Sequence, residues 1–218
     1  MKLEMLSASV VVVAQGHNPT ILHPAFLSSQ GIVPADWETA EAPVCTPAFA
    51  VVKFSNDIVF VVDADKFQVS DNRFQADPAG SPLSDLAIRY VEKLPHVRYT
   101  AVGINLEGFA ACAAPESHII RRFLNRGPWS EGALRPQALG LTFVYPLPDA
   151  TLRLTCDAGK ATQAPDDAGR TGLLIRANYH KELSQTGALE EARIFLRGFA
   201  DRFAHFRDTA MTVLGLEG

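Results

Sequence analysis

The stretch AFAVVKFSNDIVFVVDADKFQVSD, Ala48–Asp71, decides the fold. Ser55-Asn56-Asp57 parts two apolar runs, and Ala64-Asp65 parts the second run from Phe67-Gln68-Val69-Ser70. Intervals of two or three residues filled by turn formers are hairpin connections. The sequence therefore predicts three antiparallel strands between about residues 48 and 70.

Working outward, Ser7–Ala14 (SASVVVVA) reads as a first strand. It is apolar on both faces and so belongs in the middle of its sheet. The same segment has the outline of a signal peptide. Against that, Glu4 occupies the positive region, Ser7 and Ser9 interrupt the run, and the valines at 10–13 favour a strand. No window approaches 18 apolar residues, so no membrane span is expected.

The connection from Gln15 to about Thr46 holds Pro19, Pro24, Pro34 and Pro43, with Pro47 at its end. Pro24 suits a first helical position and Gly31 a helix terminus, which predicts a short helix at about 24–30. Downstream, Leu83, Leu86, Ala87, Tyr90, Val91 and Leu94 form one helical stripe stopped by Pro95, with Ser81 or Ser84 as its cap. VRYTAVGINL then reads as a strand.

The second half uses the same grammar. Glu116–Asn125 reads as a helix, and LGLTFVY, TLRLTC and GLLIRANYH read as strands. Leu152, Leu154 and Cys156 alternate with Thr151, Arg153 and Thr155, which predicts a half-buried strand. DAGKATQAPDDAGR reads as a polar loop, with Asp166-Asp167 a solvated turn. A terminal helix at about 187–214 carries Ala192, Phe195, Leu196, Phe199, Phe203 and Phe206 on one stripe, interleaved with arginines. The expected fold class is α+β: antiparallel hairpins with helices packed on one face. Residues 1–114 and 115–218 read as two similar halves or as one domain.

A net charge of −4 argues against a nucleic-acid binder, which needs a clustered positive face. The charge is unequal: residues 1–115 hold seven basic and twelve acidic side chains, residues 116–218 thirteen and twelve. Cys45, Cys112 and Cys156 are odd in number and widely spaced. That is no secreted disulfide framework and no CxxC zinc pair, so a cytoplasmic location is expected. GxGxxG, GxSxG and HExxH are all missing from the sequence, and AGKAT lacks the earlier glycine of a phosphate loop, Leu154 standing in its place.

Three functional expectations follow. The first is a non-catalytic binding or assembly domain that works through the proline-rich connection, anchored by Phe26, Leu27 and Trp37, and through the surface of the terminal helix. Its partner would be a protein or a second copy, with no nucleic acid and no membrane. The second is a metal-assisted hydrolase with His17 and His23 as ligands and Cys45 or Asp36 as the third, since zinc requires at least three. The third is a sensor that holds a small anion on Arg121, Arg122 and Arg126, because guanidinium forks suit carboxylate and phosphate. The histidines also read more simply: Asn18-Pro19 as a turn initiator and His23 as a neighbour of the helix N-cap. Cys112 and Cys156 are expected to be buried and inert, Cys45 exposed. Nothing in the sequence indicates a cofactor.

Overall fold

The structure is a computed structural model that describes residues 1–72, 80–125, 127–130, 132–134, 136, 138–162 and 169–216. Its chain order is β1 (Leu3–Gln15), α1 (Pro24–Ser29), β2 (Val44–Cys45), β3 (Phe49–Lys53), β4 (Ile58–Asp63), β5 (Lys66–Asp71), α2 (Leu83–Lys93) and β6 (Arg98–Ala111). There follow α3 (Pro115–Phe123), β7 (Gly140–Pro146), β8 (Thr151–Ala161), β9 (Arg170–Glu182), α4 (Ala188–Arg197) and α5 (Phe199–Leu214).

All nine strands join one antiparallel sheet in the order β2-β3-β4-β5-β1-β6-β9-β8-β7. The hairpins of the 48–70 region form where their turns require. Asp57 adopts φ 66°, the left-handed conformation, and Asn56 Oδ1 accepts from the Ile58 N–H at 3.3 Å. Asp63 Oδ1 accepts from the N–H groups of Asp65 and Lys66, both at 2.9 Å. Short acidic and amide side chains that bond the backbone two or three residues on are what make such turns.

β1 is the central strand. One set of alternate side chains, Ala8, Val10, Val12 and Ala14, is buried, while Ser7, Ser9, Val11 and Val13 are half-buried on the other face. The core continues through Phe67 and Val69 on β5, Val102, Ile104 and Leu106 on β6, Ile175, Ala177 and Tyr179 on β9, and Leu152, Leu154 and Cys156 on β8. α2 contacts β5, β1 and α4; α4 and α5 contact β6; α3 and α5 contact β9.

Three sequence expectations change. The single terminal helix is two helices broken at Gly198. A Cβ there would lie 2.1 Å from a guanidinium nitrogen of Arg202 and 3.3 Å from the Phe195 carbonyl. Arg202 lies 3.9 Å over the Phe195 ring and pairs with Asp149, holding the break. Ser84 does not cap α2 either, because its hydroxyl donates to the Leu196 carbonyl at 2.7 Å and ties α2 to α4. β8 and β9 also run further than expected, through Ala158-Gly159-Lys160 paired with Leu173, Gly172 and Thr171. Asp166 and Asp167 lie outside the described residues.

An aromatic chain links the connection to the helical layer. Trp37 packs edge-on against Phe54 at 5.2 Å, Phe54 against Phe60 at 5.9 Å, Phe60 lies 6.1 Å from Phe67, and Phe67 stacks flat on Tyr90 at 3.8 Å. Leu27 is fully buried and Phe26 and Trp37 partly so, with the Thr39–Phe54 bridge fastening the segment to β3. Among the described residues no helix is long and apolar enough to cross a membrane.

The buried Tyr90 hydroxyl has no hydrogen-bond partner among the described residues. An unsatisfied buried hydroxyl is a cost, so Tyr90→Phe is expected to hold or raise the urea midpoint. Phe67→Ala, which empties the other half of the stack, should lower stability by about 3–5 kcal/mol.

Candidate functional site

The register carries alternate side chains of neighbouring strands into rows across the sheet. One row runs Ser70–Ser9–Asn105–Asn178–Arg153–Val144 over β5, β1, β6, β9, β8 and β7. The next runs Ser7–Glu107–Arg176–Thr155–Thr142. A third holds Phe109, Leu174, Asp157 and Gly140. Strands whose buried face is valine and leucine thus place hydroxyls, amides and charges together on the opposite face.

These side chains are bonded to one another. Asn178 Nδ2 donates to Asn105 Oδ1 at 2.7 Å, and Asn105 Nδ2 donates to Ser9 Oγ at 3.2 Å. Gln68 Nε2 donates to Ser70 Oγ at 2.9 Å. The Glu107 carboxylate accepts from the Ser7 hydroxyl at 3.2 Å and from Arg176 Nε at 3.3 Å, and Arg176 reaches Asp157 at 3.1 Å. Arg153 makes no hydrogen bond or ion pair among the described residues. Each amide keeps an unused N–H, and Asn178 keeps its carbonyl.

Together they line an open cavity of about 410 Å³ floored by Ala8, Leu106 and Ala177. Among the described residues its charged lining is two arginines against one glutamate, net +1 in a chain of net −4. A larger cleft of about 720 Å³ lies where Gln15, residues 95–100 and residues 185–189 meet. No two of its lining side chains are hydrogen-bonded to each other among the described residues. There the Tyr99 hydroxyl is bonded to the Val91 and Leu94 carbonyls, whereas the sheet-face cavity has its polar side chains bonded to one another.

The rim beside the third row is clamped. Arg170 donates to both carboxylate oxygens of Glu4, at 3.2 and 2.7 Å, and lies 5.0 Å over the buried Phe109 ring. Gly172 makes room for that ring, since a Cβ there would come within 2.6 Å of it and 2.3 Å of the Ala110 carbonyl. The Arg170 hydrogen bonds hold the Glu4 carboxyl below its ordinary range.

The residues singled out in the sequence lie elsewhere. His17 is buried, with neither ring nitrogen hydrogen-bonded among the described residues; burial lowers its pKa, only partly opposed by the Val12 backbone and the Asp63 carboxylate. His23 is the N-cap of α1 itself: its Nδ1 accepts from the Phe26 N–H at 3.1 Å. Asp36 is exposed, and Cys45 sits exposed on β2 with its thiol toward the Thr20 carbonyl at 3.5 Å. Among the described residues no three His, Cys, Asp or Glu side chains come close enough to hold a metal ion. Arg122 donates to the carbonyls of Val213 and Thr212, capping the end of α5, while Arg121 is exposed. Arg126 lies outside the described residues. Cys156 is buried, which pushes its thiol up to about 12, and Cys112 is only half-buried.

The sequence did carry a signal for the groove. Polar residues at alternate positions interrupt four apolar strands: Ser7/Ser9, Asn105/Glu107, Arg153/Thr155 and Arg176/Asn178. Each pair alone reads as an ordinary solvated face, and only the strand order aligns them. No protein-family model matches the chain, and a comparison with curated proteins returned no match.

The Glu4–Arg170 clamp is testable through pH. A carboxyl whose folded pKa is depressed adds stability that is present above its unfolded value, near 4.5, and lost as pH falls through the folded value. Both side chains remain about two-fifths exposed, so the pair is worth less than about 1 kcal/mol after solvent screening. Glu4→Gln should be slightly less stable than the parent at pH 7, with the deficit shrinking as pH falls below 4.5, as read from urea midpoints. A deficit that persists unchanged at low pH would remove the clamp from the account.

Proposed function

We propose that the chain is a binding domain that holds a small organic anion in the groove on the open face of its sheet. The observation that carries this reading is Arg153, a guanidinium unpaired among the described residues, at the end of a polar row whose Ser9, Asn105 and Asn178 are already bonded to one another. A free arginine beside fixed amides is a carboxylate or phosphate receptor that needs little rearrangement on binding. Arg176 is neutralised by Glu107 and Asp157, so it shapes the groove, while Arg153 supplies the charge. The volume suits a molecule of metabolite size.

Binding rather than catalysis is favoured by the lining, which among the described residues contains no histidine, cysteine or lysine beside its hydroxyls. Its one carboxylate is committed to Ser7 and Arg176. The anion-sensor expectation is thereby kept with a different arginine, since Arg122 is engaged on α5.

On this proposal the helices cover one face only and leave the other as the working surface; the alternating burial of the strands supports this. The chain is, on the same proposal, two topologically similar halves, β1–α2 and β6–α5. Each is a strand, a helix, a meander whose last strand pairs back beside the first, and a closing helical segment. The join then falls at residues 94–97 rather than at 114.

Citrate and inorganic phosphate serve as probes of the two oxyanion classes. The expected result is that at least one raises the melting temperature, by about 5–10 °C at a hundredfold excess over its Kd. Arg153→Ala should weaken that probe about 10- to 100-fold, and Arg121→Ala should leave it unchanged. Citrate without phosphate would identify a carboxylate ligand, and the converse a phosphorylated one. No shift with either, or a shift that survives Arg153→Ala, would count against the site.

A further inference from the structure

We propose that the β7 edge of the sheet pairs with the β7 edge of a second copy, forming one continuous antiparallel sheet across a twofold axis. The inference does not depend on the ligand reading, because it rests on backbone geometry at the opposite side of β7 from the groove.

The direction of the β7 backbone follows from its ends. Leu147 N–H donates to the Ala150 carbonyl at 2.8 Å, and Ala158 N–H donates to the Leu139 carbonyl at 3.1 Å. Hydrogen-bonded and non-hydrogen-bonded pairs alternate along an antiparallel ladder. Both ends therefore assign Leu141, Phe143 and Tyr145 to β8 and point the N–H groups of Gly140, Thr142 and Val144 outward. The carbonyls of these three and of Pro146 point the same way. All four residues are exposed, Val144 at 55 %.

The two edges of the sheet differ. β2 is two residues long and lies between Pro43 and Pro47, a short strand guarded by residues that cannot donate. β7 is seven residues, GLTFVYP, without a charge or a proline before its last position. An edge of that kind is a template for another strand. Its apolar side adds to this, since the half-buried Phe143 packs at 5.3 Å from Phe123 and 6.3 Å from Tyr145 at the margin of the core.

The occupant is a second copy because the edge is complementary to itself. A twofold axis at Phe143 sets Thr142 against Val144, a β-branched cross-strand pair. It aligns outward donors with outward acceptors and brings no like charges together. Such an isologous contact closes on itself and consumes both open edges, where a head-to-tail contact would leave one free.

A strand-edge contact is smaller than a standard interface, so the dimer is expected to be weak and is sought at about 100 µM chain. Sedimentation equilibrium should give twice the chain mass of 23.6 kDa. Val144→Pro removes an outward N–H without breaking a β8 bond, and Thr142→Lys puts a charge at the contact; each should return the mass to that of one chain. Val44→Lys, on the other edge, should leave the dimer intact. Should Val144→Pro fail to fold, Thr142→Lys decides. A parent protein of single-chain mass at this concentration, a dimer that survives Thr142→Lys, or one that Val44→Lys dissociates would overturn the proposal.

Discussion

The pairing of β1 with β6 is the constraint on which the rest of the structure depends. It runs from Leu3–Ala110 to Gln15–Arg98, with irregularities only at Met5/Ser7 and Val13/Ala14. It is the seam at which β5 and its neighbours meet β9 and its neighbours. A slip of one residue would turn Val10 and Val12 to water and Ser7 and Ser9 into the core, because side chains alternate with period two. The register that builds the core therefore also builds the polar rows. Core and groove are two faces of one hydrogen-bond ladder.

That coupling makes the groove stiff. Its amides and its Glu107–Arg176 pair sit on central strands, whose buried side chains are among the least exposed in the molecule. Polar groups fixed to such a base lose little freedom when a ligand arrives, which favours affinity from few contacts. Arg153 stands one strand from the β7 edge, beside Val144, where the sheet gives way to solvent. A charge so placed keeps its long stem on the sheet and its head free.

Much of the fold was legible in the chain because local chemistry is decisive there. Asn56, Asp57 and Asp63 make their turns by bonds two or three residues long, and the stripe Leu83–Val91 needs only helical spacing to declare itself. Where tertiary partners override composition, the sequence misleads. Ala158-Gly159-Lys160 has the makeup of a loop, yet it is strand because β9 lies alongside it. Gly198 sits within a continuous apolar stripe and still ends α4, its N–H turned to the Phe195 carbonyl and Arg202 stacked on the Phe195 ring. The groove was legible only in fragments, since its residues come from five strands and no spacing in the chain joins Ser9 to Arg153. His17 and His23 drew attention by type and proximity, whereas the structure uses His23 as a helix cap and buries His17.

The central claim is that the open sheet face receives an anion at Arg153, and side-chain NMR tests it most directly. The protein would be titrated with whichever of citrate or phosphate stabilises it, following the arginine Nε–H and the asparagine amide resonances. The account predicts saturable shifts at Arg153, Asn178 and Asn105, with the Arg122 signal, held on α5, unmoved. Shifts centred on Arg121 or Arg98 with Arg153 and Asn178 unmoved would contradict it.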